Sequence, residues 1–422
     1  MHRLSRHAAC LLPPARAAPA AESADLGGHL LVIGATGIIG RALIEHFAGA
    51  AGWTVTAMSR REPDYELGGA TWVHLDLDDR AGTAVAIAAV NAAGVPVTHA
   101  TFGAVYEQPG GLVDSWASKD MIARNDGMFR SFLDAAAVHC PKMVHLTVMQ
   151  GGKAYGVPGG TVIAPQLPPF KERRPRVHDG GFYWKQEDYM KEVQAKASWT
   201  FTIWRPPIVA GLAYNSPLNV MAAIGAHAVV QRELGLPLEY PGATPGSLME
   251  VVDSRLIASA MAWSFANCEP GSGAAADETF NICNGDTAAW QGVYPSIAAH
   301  FGMEMGAQAE GYSPGYLARW SKVPEHAEAW DRIVKRHGLV PHTLDEFVNQ
   351  SWDLADMLFA GPKAPRAGSK NLDPYASARN LSASGLMSTI KLRQAGFAEC
   401  VDTEDMTIRW LEEMQALNIL PK

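Results

Sequence analysis

Short apolar runs alternate with stretches of helical spacing along the first half of the chain. The run His29–Ile33 (HLLVI) stops at Gly34, the pattern of a strand buried on both faces of a parallel sheet. GATGIIG follows at 34–40, and then RALIEHFAGA, whose apolar positions recur with helical spacing. Further runs predict strands at Trp53–Met58, Thr71–Leu75, Val95–Phe102, Met143–Met149 and Trp199–Trp204. Helical patterning covers Met121–Val138 and Lys185–Ala197, with a Pro/Gly-rich segment over Gln150–Arg176. Strands alternating with helices specify an α/β fold with a doubly wound parallel sheet. Beyond about Gly211 the sequence is richer in helices and turns, and no internal repeat is evident.

The glycine segment between the first strand and helix carries the first chemistry. In Gly34-Ala35-Thr36-Gly37-Ile38-Ile39-Gly40 the first glycine permits a tight turn, and the second lets backbone approach a pyrophosphate. The third allows close contact between helix and strand. The helix N-terminus then offers unpaired N–H groups and a positive dipole end to phosphates. A strand, a glycine turn and a helix in direct succession predict a Rossmann-type dinucleotide-binding domain, and the GxxGxxG spacing is that of short-chain dehydrogenases. The second strand ends in Ser59-Arg60-Arg61 where an acidic residue would accept from a ribose 2′-OH. Arginines there suit a 2′-phosphate, so NADPH is the expected cofactor. Asp76, followed by Leu77, closes the third strand, where it can meet the adenine edge. A solvated basic loop and a plain surface turn are the alternatives at these two places. The expected organisation is an N-terminal extension over 1–28, disordered, a Rossmann domain over 29–211, and a smaller, mainly substrate-binding lobe over 212–422. That lobe is mostly helical and C-terminal, with some segments returning to the Rossmann core.

Composition narrows the function classes. Of 422 residues, 48% are hydrophobic and 18% charged, enough for one large core or a large domain with a smaller one. A net charge of −8 offers no basic stripe to a nucleic acid. The five cysteines, Cys10, Cys140, Cys268, Cys283 and Cys400, are scattered without a CxxC pair, which reads as buried free thiols and no metal site. No run approaches the ~20 apolar residues of a membrane span. The basic start His2, Arg3 and Arg6 leads into a short apolar stretch broken by Pro13, Pro14 and Arg16, unlike the apolar core of a signal peptide. A cytoplasmic protein is expected.

One motif is missing. Short-chain dehydrogenases generally carry the catalytic tyrosine and lysine as YxxxK on one helix, yet none of the eleven tyrosines here has lysine four positions later. The chain resembles the progesterone 5β-reductase/iridoid synthase-like family, an atypical branch of the extended short-chain dehydrogenases. The similarity rests on GATGIIG, the SRR strand end, LDLDD, THATF, NDGMFR at 125–130, VHLTVMQGGKAYG from Val144, GFYWKQEDYM from Gly181, WRPPIVAG, FNICNGDTAAW and the STIKLRQAGF…VDTEDM tail. It therefore runs from about His29 to the C-terminus.

The resemblance implies a lysine that precedes the tyrosine by roughly thirty residues; the matching positions are Lys153 in GGKAYG and Tyr183 in GFYW. It also implies cofactor contacts from Thr101, Phe102, Thr147, Lys153, Tyr183, Pro207 and Ile208, and a homodimer. Three positions depart from the family pattern: Gly181 stands for an asparagine, Trp184 for a second tyrosine and Thr147 for a serine. The implied chemistry is hydride transfer to the β-carbon of an α,β-unsaturated carbonyl. A neutral Tyr183 hydroxyl would stabilise the enolate oxygen, while Lys153 would hold the nicotinamide ribose and lower the tyrosine pKa. Phe102, Met149, Tyr155, Phe182 and Trp184 are expected pocket walls, joined by Phe347, Trp352 and Met357 of a C-terminal helical segment unless these are core. Such a lining suits a hydrophobic enone. The same pair could serve carbonyl reduction, a non-enzymatic NADP(H)-binding regulator would keep only the binding half, and the absent YxxxK counts against a nucleotide-sugar epimerase.

Overall fold

The computed structural model describes residues 27–108, 118–155, 168–176, 181–213, 216, 218–242, 248–308, 316–340, 343–348, 351–360 and 386–422. The extension expected over 1–28 lies outside the described residues as far as 26, and so does the side chain of Met357.

The apolar runs form β1 (Gly28–Ile33), β2 (Trp53–Ser59), β3 (Thr71–His74), β4 (His99–Phe102), β5 (His145–Met149) and β6 (Thr200–Arg205). Beyond them lie β7 (Ile208–Ala210), β8 (Leu238–Tyr240), β9 (Leu248–Met249), β10 (Val251–Asp253) and β11 (Glu278–Asn281). Seven strands make one sheet in the order β11-β6-β5-β4-β1-β2-β3, every pair parallel. The chain winds outward from β1 in one direction through β2 and β3, then restarts on the other side at β4. A crevice opens beyond the strand ends where the order reverses, between β1 and β4, and open α/β sheets bind their ligands there.

Helices cover both faces. On one side α1 (Ile38–Phe47) and the later α6 (Ser254–Ala266) pack together over Leu30, Val32, Ala57 and Trp204. On the other, α2 (Arg80–Ala92), α3 (Lys119–His139) and α4 (Phe182–Gln194) pack in sequence over Leu31, Ile33, Leu146 and Ile203. With a helix layer on each face, the residues of both faces of the central strands are buried, and the polar ones among them, His29, Thr56, Thr101, Thr147, Thr200 and Thr202, are hydrogen-bonded inside.

Several boundaries differ from the pattern, two elements most of all. Pairing in the fourth strand begins at His99, because Asn91 Oδ1 accepts from the N–H of Val97 at 2.9 Å and holds the preceding residues in the link. The helix expected over Lys185–Ala197 runs from Phe182 to Gln194. Gly181, extended at φ −82° and ψ 150°, caps it, so Tyr183 falls inside its first turn.

The C-terminal half builds a second core around α5 (Val220–Glu233), a helix buried on nearly every side. It starts at Asn219, whose side chain accepts from the N–H of Ala222, and an all-round apolar helix of this kind needs neighbours on all sides. They include α7 (Trp290–His300), α8 (Tyr316–Trp320), α9 (Pro324–His337), α10 (Leu344–Val348) and α11 (Ser351–Ala360). The segment from β10 through α6 to β11 returns to the sheet, and α12 (Ile390–Gln394) packs on β11. Finally α13 (Thr403–Ala416) closes against α5 and α7. Among the described cysteines Cys140 and Cys283 are buried, but Cys400 is exposed, against the expectation of buried thiols throughout. No helix among the described residues is long and apolar enough to cross a membrane.

Candidate active site

A cavity of about 730 Å³ lies beyond the carboxyl ends of the central strands. Its wall begins at the glycine turn. Gly34 has φ +97°, a conformation L side chains rarely adopt, and a Cβ there would come within 2.9 Å of the Ala104 amide nitrogen. At Gly40 a Cβ would lie 2.2 Å from the Gly34 carbonyl oxygen, so only glycine lets the first turn of α1 sit against the loop. The helix begins after Gly37 with no side-chain cap, which leaves its first N–H groups directed at the cavity end of the turn. Thr36, Gly37, Ile38, Ile39 and Gly40 all line the cavity.

The ends of β2 and β3 supply the next stretch of wall: Ser59, Arg60, Arg61, Asp76 and Leu77. The Ser59 hydroxyl is committed internally, donating to the Arg61 carbonyl at 2.6 Å and accepting from the Trp72 indole at 3.2 Å. That bond folds the strand end so that Arg60 and Arg61 stand exposed at the rim. Asp76 accepts from the N–H of Asp78 at 3.1 Å. These residues fit a dinucleotide with a charged adenosine end, through a glycine cradle without Cβ atoms and two guanidinium groups beside it.

Beyond β5, a 3₁₀ turn over Gly152–Tyr155 carries Lys153, and the first turn of α4 carries Tyr183; both line the cavity. The Lys153 ammonium lies 5.6 Å from the centroid of the Tyr183 ring and 5.5 Å from that of Phe182. Gly151 backs the tyrosine: a Cβ on it would lie 3.5 Å from the hydroxyl oxygen. The helix itself is anchored from below. Gln150 donates to the Tyr183 carbonyl at 3.1 Å and accepts from Arg205 at 2.9 Å, and Arg205 pairs with Glu187 at 3.0 Å; the ion pair is buried behind the cavity wall that Gln150 and Tyr183 line.

A carboxylate outside the expected set completes this region. Glu107, in the loop after β4, has only 2% of its side chain exposed and lies 3.5 Å from the Lys153 nitrogen. Burial lowers the Lys153 pKa, and Glu107 pushes it back up. Burial also raises the Tyr183 pKa well above the usual phenol value, and Glu107 adds to the rise. Against the expected lowering by Lys153, the Tyr183 pKa is raised, first by burial and then by Glu107, which favours the neutral phenol.

The remaining expected residues divide by side-chain direction. Met149, Phe182, Pro207 and Ile208 line the cavity. Thr101 and Thr147 do not. Their hydroxyls bond to each other at 2.7 Å between neighbouring strands, both against the Met261 sulfur of α6. Phe102 points to the opposite layer, edge-on to Phe129 at 4.9 Å between centroids. The side chains of β4 enter the two helix layers, and the backbone reaches the cavity only from Gly103 onward.

Tyr155 turns away too, stacked on Phe170 with its hydroxyl donating to Asn281 at 2.6 Å. Trp184 follows Tyr183 by about 100° around the helix and lies between Arg176 and Arg205. Phe347 stacks on Trp330, and Trp352 packs on Trp320; both belong to the C-terminal core.

The wall contains instead Tyr106, Gln186, Phe170, Leu218, Met249, Leu354 and Met387. Tyr106 and Glu107 follow directly on the fourth apolar run, so the rule that ligands bind beyond strand ends could have flagged them. Nothing in the local pattern marks Met249, Leu354 or Met387.

Residues 97–347 match the family described as the PRISE-like Rossmann-fold domain, and residues 30–148 match the NAD dependent epimerase/dehydratase family. Over 413 residues the chain is 25% identical to an (S)-8-oxocitronellyl enol synthase of Camptotheca acuminata, covering 93% of both chains. It is 25% identical over 409 residues to a 3-oxo-Delta(4,5)-steroid 5-beta-reductase of Arabidopsis thaliana, covering 93% of this chain and 92% of that one. In fold it is similar to the Bordetella bronchiseptica enzyme WbmG in complex with NAD and UDP, with TM-score 0.58, 14% identity and coverage of 94% and 97%. A Thermotoga maritima UDP-glucose 4-epimerase is similar at TM-score 0.55, 11% identity and coverage of 92% and 99%. The shared architecture is the extended short-chain dehydrogenase type of NAD(P)-binding Rossmann fold. With the matched segment spanning more than half of its length, the chain belongs to the PRISE-like Rossmann-fold family.

Proposed function

We propose that this protein is an NADPH-dependent reductase of hydrophobic α,β-unsaturated carbonyl compounds, with Tyr183 and Lys153 as its catalytic pair. The observation that carries the reading is a continuous cavity. It joins the glycine turn and the strand-end arginines to Lys153 and Tyr183 and continues into an apolar wall of Met149, Phe170, Phe182, Leu218, Met249 and Met387. Bound nicotinamide would supply the hydride for the β-carbon of the substrate.

The protein's own part is electrostatic. As hydride arrives, negative charge develops on the carbonyl oxygen. A neutral phenol O–H from Tyr183 donates to it, and one such donor typically lowers a barrier by about 2.7–4 kcal/mol. The raised pKa of Tyr183 favours this donor form over the whole neutral range. Lys153 orients the ribose next to the nicotinamide, and Arg60 and Arg61 hold the 2′-phosphate. The apolar wall excludes water and strengthens the interactions within.

The test is to follow NADPH oxidation with a panel of hydrophobic enones and the matching saturated ketones, in the wild type and Tyr183→Phe. Turnover of enones alone, lost by a factor of about 10² or more in the variant, is the expected outcome. Turnover confined to saturated ketones moves the reaction to carbonyl reduction. Full activity in the Phe variant removes Tyr183 from the mechanism.

A further inference from the structure

The loop that carries Glu107 is fixed from two directions. Asn125 of α3, only 1% exposed, accepts from the Tyr106 N–H at 2.8 Å and donates to the Tyr106 carbonyl at 2.9 Å. The Arg124 guanidinium lies 3.8 Å from the centroid of the Tyr106 ring and is itself paired with Asp78. Gln186, one turn after Tyr183 on α4, donates to the Asn125 carbonyl at 3.0 Å. The loop with the carboxylate and the helix with the tyrosine thus share one anchor, and the residue next to that anchor is Glu107. A buried carboxylate placed 3.5 Å from a lysine nitrogen by such a clamp has a defined position.

We propose that Glu107 is a positioning residue of the active site, its buried carboxylate fixing the Lys153 ammonium beside Tyr183; this rests on reading Lys153 and Tyr183 as the catalytic pair. Among the described residues, three charged or titratable groups from three elements meet here: Glu107 after β4, Lys153 after β5 and Tyr183 on α4. The neighbouring cations are engaged elsewhere, Arg124 by Asp78 and Arg205 by Glu187. Without the carboxylate, Lys153 would lose the charge that opposes the effect of burial, and the amine would lose its proton at lower pH. Glu107 also opposes ionisation of Tyr183, so one carboxylate favours both the phenol as a donor and the amine as a cation.

The experiment measures Lys153 directly. The full chain, free of NADPH, is trace-labelled with acetic anhydride across a pH series, and acetylation of the Lys153 peptide is followed by mass spectrometry. In Glu107→Gln the labelling midpoint should fall by about 1–3 pH units, the range expected for loss of an opposite charge at this separation. The basic limb of the kcat/KM profile should fall with it. Glu107→Asp retracts the carboxylate by one methylene and should give a smaller fall; it serves as the test if the Gln variant does not fold. A wild-type midpoint in the folded variant overturns the proposal. Full activity in Tyr183→Phe would defeat the catalytic reading without moving the Lys153 midpoint, so the two failures are separable.

Discussion

Gln150 donates its side-chain amide to the carbonyl oxygen of Tyr183 at 3.1 Å, tying the end of β5 to the first turn of α4. Gln150 itself is held by Arg205, whose second contact is Glu187 on the same helix. The strand end, the helix and the buried ion pair therefore form one closed loop of hydrogen bonds beneath the tyrosine. Small displacements of a catalytic group, on the order of 1 Å, can cost about 10² in rate. Gln150→Leu should lower kcat by about 10- to 100-fold. The KM for NADPH should stay within about twofold, because that amide is engaged by Tyr183 and Arg205. Steady-state kinetics with cofactor and substrate varied separately check this. A rise in the NADPH KM with kcat intact would place Gln150 in cofactor binding instead.

Under the proposed function, cofactor choice rests on Arg60 and Arg61. Both are exposed at the cavity rim, displayed by the Ser59 bond to the Arg61 carbonyl. Replacing both with alanine removes charge-assisted bonds worth about 1.5–3 kcal/mol each to a phosphate. The NADPH KM should rise by at least about tenfold while that of NADH changes little. Equal losses for both cofactors would remove the 2′-phosphate role.

Gly40→Ala tests the glycine cradle. The added methyl would sit 2.2 Å from the Gly34 carbonyl oxygen and 2.8 Å from the Ala35 Cα, and both are backbone atoms that cannot swing aside. Overpacking of this kind costs about 1–3 kcal/mol or more. The variant should melt several degrees lower and lose dinucleotide binding. Gly94, whose Cβ would meet nothing within 4 Å, is the control: alanine there should leave binding unchanged. A Gly40→Ala protein with wild-type melting and binding would show that the turn can open to admit a side chain.

Acid stability should depend on three buried imidazoles. Burial lowers the pKa of His99 to about 4 and those of His145 and His227 to about 3. Each stays neutral in the folded chain, whereas an unfolded histidine takes a proton near pH 6.5. Below 6.5 the unfolded state binds more protons, so this contribution to stability is complete above pH 6.5. It is lost as the pH falls toward 4 and then 3, at about 1.4 kcal/mol per pH unit for each imidazole. His145 bridges the hydroxyls of Thr200 and Thr202 inside the sheet, at 2.8 and 3.0 Å. Denaturant melts of His145→Gln between pH 4 and 7 should show a shallower decline than the wild type. Parallel slopes would mean that His145 does not contribute to the acid sensitivity.

The parts of this molecule legible along the chain are those governed by local geometry. The glycine turn is readable because a positive φ and a missing Cβ are requirements of single residues, met at Gly34 and Gly40. The parallel sheet is readable because strands buried on both faces leave short, largely apolar runs between helical stretches. Arg60 and Arg61 are readable as cavity-rim residues because they follow directly on a strand end, and the absent YxxxK is readable by simple search.

The pocket wall was a different matter. Phe102, Tyr155, Trp184, Phe347 and Trp352 have the right chemistry, but strand pleat and helix rotation turn their rings into packed layers. Glu107 meets Lys153 only because two loops follow adjacent strands, and Leu354 and Met387 arrive from the far end of the chain. Sequence alone determined the binding turn and the sheet, since a backbone conformation and a burial pattern are properties of neighbouring residues. Tertiary structure decided which side chains face the cavity and which charge stands beside Lys153. Those depend on the relative placement of distant elements, which no local period records.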